Sequence, residues 1–373
     1  MFLIDNFFIF LEDILVSCRK LIIIRYLRMI PMLAAVMEDL ELIRIKDIPP
    51  PEVHKHDVLV EIRSVGVCGS DLHYFHEGKM GKYNVGFPFI LGHECAGVIL
   101  EVGEEVESIV PGDRVAVEPG IPCRVCRYCK KGQYNICPDM KFLGTPPVSG
   151  SFVQYLAFPA DLVYKLPDQV NFDEGACIEP LAVALYACRL GMVAPGDSVV
   201  VLGLGPIGLL AGQAAKVFGA QVVVGTDLYS YRRETAKTVG IAQSFSGDNP
   251  DLAHEIINFL GEPPQVVIDT VGSKASGELA TTVLDLSGSL VIVGASSENM
   301  VALNYAQIRS KELKIYGQFR YANVFPQAVK LLQDDAVKIK PLISKKISIN
   351  DVQEGMQYIL KNPGRAIKVI VNM

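Results

Sequence analysis
Short apolar runs punctuated by glycine and proline fill the first half of this chain, and near residue 180 they give way to β-branched runs alternating with helix-length segments. From residue 34, VLVEIRSV (58–65), GVILEV (97–102), DRVAVE (113–118) and the stretch from Phe152 to Tyr164 read as short strands with turn residues between them, the pattern of a small barrel. Beyond residue 180, VVVLG (199–203), QVVVGTD (221–227), QVVIDT (265–270) and SLVIVG (289–294) are strands of another kind, most of them followed by a helix-length stretch. That rhythm predicts a doubly wound parallel sheet. From Tyr321 the chain continues with a helix (350–361) and a last strand, AIKVIVN (366–372). The expected class is α/β, with a β-barrel domain over 34–180, a parallel-sheet domain over 181–320, and a return to the first domain over 321–373.

Residues 1–33 follow neither pattern. Asp5, Glu12, Asp13, Arg19, Lys20, Arg25 and Arg28 interrupt the segment, so no run reaches the ~18 uncharged apolar residues of a membrane span. Its first charges are acidic, whereas a secretory signal begins basic and ends in small residues. The Arg and Lys of its second half leave a surface-lying amphipathic helix or an organelle address open. The simpler expectation is an added segment outside the core, since Met32 opens an ordinary domain start.

Length and charge narrow the function. The 373 residues suit two domains, and 35 Lys+Arg against 41 Asp+Glu argue against a nucleic-acid partner, which needs a basic face. Nine cysteines, five of them scattered in apolar or glycine-rich contexts at 18, 68, 95, 177 and 188, fit a reducing cytoplasm.

The other four cysteines carry chemistry. Cys123, Cys126 and Cys129 recur at every third position and Cys137 follows eight positions later, the spacing of a closed tetrathiolate zinc site. Arg124, Arg127, Lys130 and Lys131 crowd the same loop and offset the net negative charge of such a site. A second motif, Gly203-Leu-Gly205-Pro-Ile207-Gly208, directly follows the VVVL strand and precedes a helix-length run. Asp227 ends the next strand 19 positions past Gly208. Pyrophosphate on a helix N-terminus and a carboxylate on the adenosine ribose follow from that arrangement. Asp227 would repel a 2′-phosphate, so NAD is expected over NADP; Arg232 and Arg233 soften this, although stacking on the adenine is the commoner arginine role.

A third constellation, Gly66-Val-Cys68-Gly-Ser70-Asp71-Leu-His73-Tyr74 with Gly92-His93-Glu94-Cys-Ala-Gly97, offers a thiolate, an imidazole and a carboxylate with a fourth metal position open for substrate. The combination GHExxGxxxxxGxxV, the four-cysteine lobe and the GxGxxG strand resembles the zinc-dependent medium-chain dehydrogenases from Met32 onward. That resemblance implies a GroES-like β-barrel catalytic domain and a Rossmann coenzyme domain.

The branch is readable too. Where the liver alcohol dehydrogenase branch has a second zinc-binding cysteine, this chain has Glu179 in Cys177-Ile-Glu179-Pro-Leu-Ala. This resembles the sorbitol and xylitol dehydrogenases, and implies that Cys68, His93 and Glu94 hold a catalytic zinc, with Glu179 either binding the metal's water or replacing Glu94. Tyr74 matches a polyol-contacting tyrosine, and Phe319, Arg320 and Tyr321 of GQFRYAN match the substrate and nicotinamide wall. Val293 and Gly294, closing the SLVIVG run, join Gly203, Gly205, Ile207, Gly208, Asp227, Arg232 and Phe319 as expected cofactor contacts. Ser70, or less readily His73, would pass the proton outward, unless Ser70 only caps a helix. Animal sorbitol dehydrogenases usually lack the four-cysteine set; microbial, plant and some insect members keep it. The subfamily implies a homotetramer. Threonine or 2,3-butanediol oxidation, and outside catalysis a crystallin-like binding role, are the rival readings.

Overall fold
The computed structural model describes residues 31–295 and 300–373. The expected extension therefore lies outside the described residues up to position 30, while Met32 and Leu33 already belong to the strand Met32–Asp39, paired antiparallel with Leu42–Ile48.

One strand organises the barrel. Asp57–Gly66 pairs antiparallel with Glu94–Val102, with Tyr155–Pro159 and with the final strand Lys368–Asn372. Its Val58, Val60, Ile62 and Val65 are fully buried. Register shifts at Leu59/Val60 and Ile62/Ser64 bend it, as bulges do where a sheet curls toward closure. The full sheet has seven strands, and the C-terminal Ile343–Ser348 and Lys368–Asn372 complete it.

The second sheet has six strands, in the order Gln243–Ser246, Val222–Asp227, Ser198–Leu202, Val266–Asp269, Ser289–Ile292, Lys314–Gly317, and every pair is parallel. This is the Rossmann order, with its crevice where the strand sequence reverses at Ser198–Leu202. Alternate residues of the central strands face opposite layers. Val199, Val201 and Ile268 pack with the helices Ile178–Gly191 and Pro206–Val217, whereas Val200, Leu202 and Val267 pack with Leu252–Leu260 and Lys274–Val283. The first of these cores also takes in Ala96, Ala116, Leu166 and Ile370 of the barrel. Helix Ile178–Gly191 thus spans the expected boundary at 180 and ties the two units together. Among the described residues no helix is long and apolar enough to cross a membrane.

Candidate active site and metal centres
Cys68 follows strand Asp57–Gly66 and forms the N-cap of helix Gly69–Glu77. Asp71, three residues on and fully buried, accepts hydrogen bonds from the backbone N–H of Cys68 (2.9 Å) and of Gly92 (3.1 Å). One carboxylate therefore pins together the two segments that carry Cys68 and His93. Ligand atoms of Cys68, His93 and Glu94 all lie within 4.8 Å of one another. Burial pulls the His93 imidazole down, but Cys68 and Asp71 outweigh it and hold His93 well above its ordinary value. Its Nδ1 is buried with no hydrogen-bond partner, 3.7 Å from Asp71 Oδ1. A buried pocket of thiol, imidazole and carboxylates, rich in negative charge, fits a zinc ion.

The two carboxylates have different partners. Lys368 Nζ donates to both oxygens of Glu94, at 2.8 and 2.6 Å, and to Val67 O at 3.0 Å; lysine and glutamate are 3% and 1% exposed. A Cβ at Gly66 would stand 2.1 Å from Glu94 Oε2, so glycine there makes the room Glu94 needs. Glu179, in the first turn of helix Ile178–Gly191, has no salt bridge among the described residues. Burial pushes its carboxyl up to about 7, with His93 pulling it down and Glu94 pushing it further up.

Around this cluster stands a polar wall. Arg320 lies with its guanidinium 3.8 Å from the Phe142 ring and 4.8 Å from that of Phe319. Burial lowers its pKa against Tyr83, Glu179, Tyr74 and Tyr321, the groups it faces. Among the described residues no salt bridge engages its fork. Tyr74 is buried near Thr145, and burial raises its pKa. Tyr321 is likewise buried, its hydroxyl facing Glu179 without a well-formed hydrogen bond. Ser70 is half-buried in the first turn of its helix, and since Cys68 is the N-cap, the capping role considered for Ser70 is not what it does. His73 bonds Glu77 at 2.9 Å.

The expected coenzyme residues assemble at the sheet's switch point. Gly203 adopts φ +86°, open to glycine and costly for other residues, and a Cβ on Gly208 would stand 1.8 Å from Gly203 O. Helix Pro206–Val217 starts directly behind, capped by Gly205 with Pro206 at its first position. Asp227 Oδ2 accepts from Leu204 N at 2.8 Å and Oδ1 from Tyr229 N at 2.9 Å. Arg232 approaches Asp227 at 3.4 Å and lies over the Tyr229 ring, while Arg233 donates to Asp227 O. Gly294 admits no Cβ, which would meet Thr270 C at 2.6 Å; Val293 N and Gly294 N both bond Asp269 O. Ile207, in the first turn of helix Pro206–Val217, is partly exposed and Phe319 largely so.

The four-cysteine lobe is preformed. Sulfur–sulfur distances are 4.0 Å for Cys123–Cys129, 3.5 Å for Cys126–Cys129 and 3.9 Å for Cys126–Cys137. Four thiolates at ~2.3 Å from a tetrahedral zinc stand about 3.8 Å apart, so the cage fits that ion. Backbone N–H groups of Cys123, Cys126 and Cys129 point at the sulfurs of Cys137, Cys123 and Cys126.

Sequence reasoning missed the residues that hold the expected ones. Lys368 announces itself only as a lone cation in an apolar strand, and Asp71 only as the third residue after a capping cysteine. Phe142 and Thr145 carry no local signal.

Comparison with known proteins shows the family to which the chain belongs. Residues 54–168 match the family described as alcohol dehydrogenase GroES-like domain, and residues 206–334 the family described as zinc-binding dehydrogenase. The sorbitol dehydrogenase of Bacillus subtilis is 41% identical over 341 residues, 91% of this chain and 97% of that one. Among solved structures, an Escherichia coli oxidoreductase/dehydrogenase of unknown specificity superposes with TM-score 0.88 at 33% identity, covering 92% of this chain and 99% of its own. The 2R,3R-butanediol dehydrogenase of Bacillus subtilis gives TM-score 0.84 at 31% identity, with 92% and 99% covered.

Proposed function
As this chain belongs to the zinc-dependent medium-chain dehydrogenases, in their sorbitol dehydrogenase branch, and so is an alcohol dehydrogenase using zinc and NAD, we propose that it reversibly oxidises a secondary hydroxyl, at C2, of a five- or six-carbon polyol to the ketose. The observation that carries this reading is the Arg320 fork, free of salt bridges among the described residues and facing Tyr74, Tyr321 and Glu179 beside the ligand cluster. An alkyl substrate would leave these buried polar groups unpaired at ~1–3 kcal/mol each, whereas a polyol satisfies several of them.

Cys68, His93 and Glu94 would hold the catalytic zinc, with Lys368 offsetting the charge of Glu94, and Cys123, Cys126, Cys129 and Cys137 the structural one. Zinc held there would supply the Lewis acidity that lowers the pKa of the substrate hydroxyl, and NAD would supply the hydride acceptor. Glu179, the carboxylate without a bonded cation, positions the reacting hydroxyl, and Ser70 passes its proton outward. Tyr74, Arg320 and Tyr321 grip the remaining hydroxyls. Gly203, Gly205, Ile207 and Gly208 take the pyrophosphate, Asp227 the ribose, Arg232 the adenine face, and Val293, Gly294 and Phe319 the nicotinamide half. A cytoplasmic homotetramer goes with this reading; the eight cysteines of the described residues are all free, as a reducing compartment keeps them.

The structural likeness to a butanediol dehydrogenase favours one rival, a short diol substrate. Initial rates with sorbitol, xylitol, 2,3-butanediol, threonine and ethanol under NAD decide between them. The polyols should lead; a clear win for a short alcohol or threonine refutes the polyol assignment and leaves zinc and hydride transfer standing.

A further inference from the structure
The four-cysteine lobe touches the substrate wall through a set of hydrogen bonds that a stability role does not require. Asn135, 5% exposed and only two residues before Cys137, donates from Nδ2 to the carbonyl of Phe319 at 2.9 Å. Four residues on, Asn323 donates from Nδ2 to Gly132 O at 2.6 Å and from its backbone N–H to the Tyr134 hydroxyl at 2.9 Å. Tyr134 in turn donates to the buried Glu118 at 2.7 Å, which fixes the hydroxyl as the acceptor for Asn323. The lobe therefore grips the wall on both sides of Arg320 and Tyr321. Arg320 and Asn323 sit at φ +55° and +56°, the left-handed region that a non-glycine residue keeps only when its surroundings enforce it. Gln318, donating to Arg320 O at 3.0 Å, braces the segment from within.

We infer that the metal-organised lobe is a positioning device for the substrate site, with Asn135 and Asn323 holding residues 319–323 in the conformation that presents Arg320 and Tyr321 to the substrate. Cysteine ligation sets the path of residues 132–137, and that path sets where the wall can be bonded. Removing a clamp leaves the zinc–ligand cluster and the coenzyme crevice in place but frees the guanidinium to wander. This inference rests on the polyol reading for its kinetic arm and on geometry alone for its structural arm.

The test uses the full-length holoenzyme and the variants Asn135→Ala and Asn323→Gly, the second chosen because glycine keeps the left-handed backbone without strain. Zinc content and hydrogen–deuterium exchange are measured first, then kinetics with xylitol and with 2,3-butanediol, which carries only one hydroxyl besides the reacting one. Both variants should keep the parent's zinc content, lose amide protection over residues 318–323 and nowhere else, and raise KM for xylitol by ~10-fold, the worth of one ordinary hydrogen bond. Butanediol turnover should stay at the parent's level. Unchanged exchange over 318–323, or equal losses on both substrates, overturns the clamp. If the parent oxidises no polyol, the polyol reading fails by itself, and the exchange data still decide the clamp in either direction.

Discussion
Lys368 is a lone cation in the apolar strand AIKVIVN, and it is what lets Glu94 be fully buried beside Cys68 and His93. A buried ion pair adds little over an apolar pair, but breaking one side leaves an uncompensated charge. Lys368→Met should therefore cost ~3–5 kcal/mol in a urea melt of the metal-free protein, where no bound cation replaces the lysine, or force Glu94 to take up a proton. A loss under ~1 kcal/mol, the worth of an exposed pair, would show that Glu94 does not depend on it. Asp227 makes the complementary case. Its oxygens accept the Leu204 and Tyr229 N–H groups and keep further lone pairs for a ribose, while its charge opposes a phosphate. Asp227→Ser should narrow the NAD over NADP preference in kcat/KM by at least ~10-fold, about 1.4 kcal/mol of discrimination, aided by the released Arg232. Equal efficiency of the parent with both coenzymes would refute the argument. At this scale the proposed ligands and the proposed ribose carboxylate could be named from the sequence because their chemistry demands particular residue types at particular spacings. Their partners were not: Lys368 meets Glu94 from 274 positions away, and no local pattern encodes that meeting.

The β-branched runs became strands within a residue or two of their expected bounds because strands buried on both faces tolerate little else. Gln243–Ser246, Lys314–Gly317 and Ile343–Ser348 escaped because they lie at or near sheet edges and carry polar residues. The last of these is fastened by helix Phe172–Ala176, whose Asp173 accepts from Ser64 Oγ (2.6 Å) and Asn372 Nδ2 (2.9 Å) and pairs with Lys346 at 2.5 Å. Burial pushes the Asp173 carboxyl up, but Lys346, Ser64 and Asn372 together hold it below its ordinary value. With the folded pKa depressed, the native state binds fewer protons than the unfolded chain between the two values. The contribution is present above the unfolded pKa and is lost as pH falls through the folded one. Asp173→Asn should be less stable than the parent by ~1–3 kcal/mol at pH 7, and the gap should close as pH drops below about 4. Denaturant midpoints of both proteins across that range measure it. A gap that does not change with pH would mean the charge contributes nothing.

The division into a barrel and a parallel sheet was visible in the rhythm of apolar runs, but the sequence did not show that the two share a core. Helix Ile178–Gly191 is apolar almost all round: Ile178, Leu181, Ala184, Leu185 and Cys188 are fully buried, in one cluster that runs from Ala96 and Ala116 of the barrel to Val201 and Val291 of the sheet and Leu209 of the helix Pro206–Val217. Neither unit can withdraw without exposing that helix. Apolar surface shared in this way couples the units, because melting one removes the burial that stabilises the other. The zinc-loaded enzyme should accordingly unfold in a single thermal transition. NAD bound in the proposed Rossmann crevice should move the whole transition: at a hundredfold excess over Kd it adds about 2.7 kcal/mol to the native state. Scanning calorimetry with and without NAD, followed by near-ultraviolet dichroism and by release of zinc from the barrel-side sites, tests this. Metal release should track the calorimetric midpoint and rise with it when NAD is added. A barrel that gives up its zinc at an unchanged temperature while the NAD-bound sheet persists would show that the shared helix does not couple them.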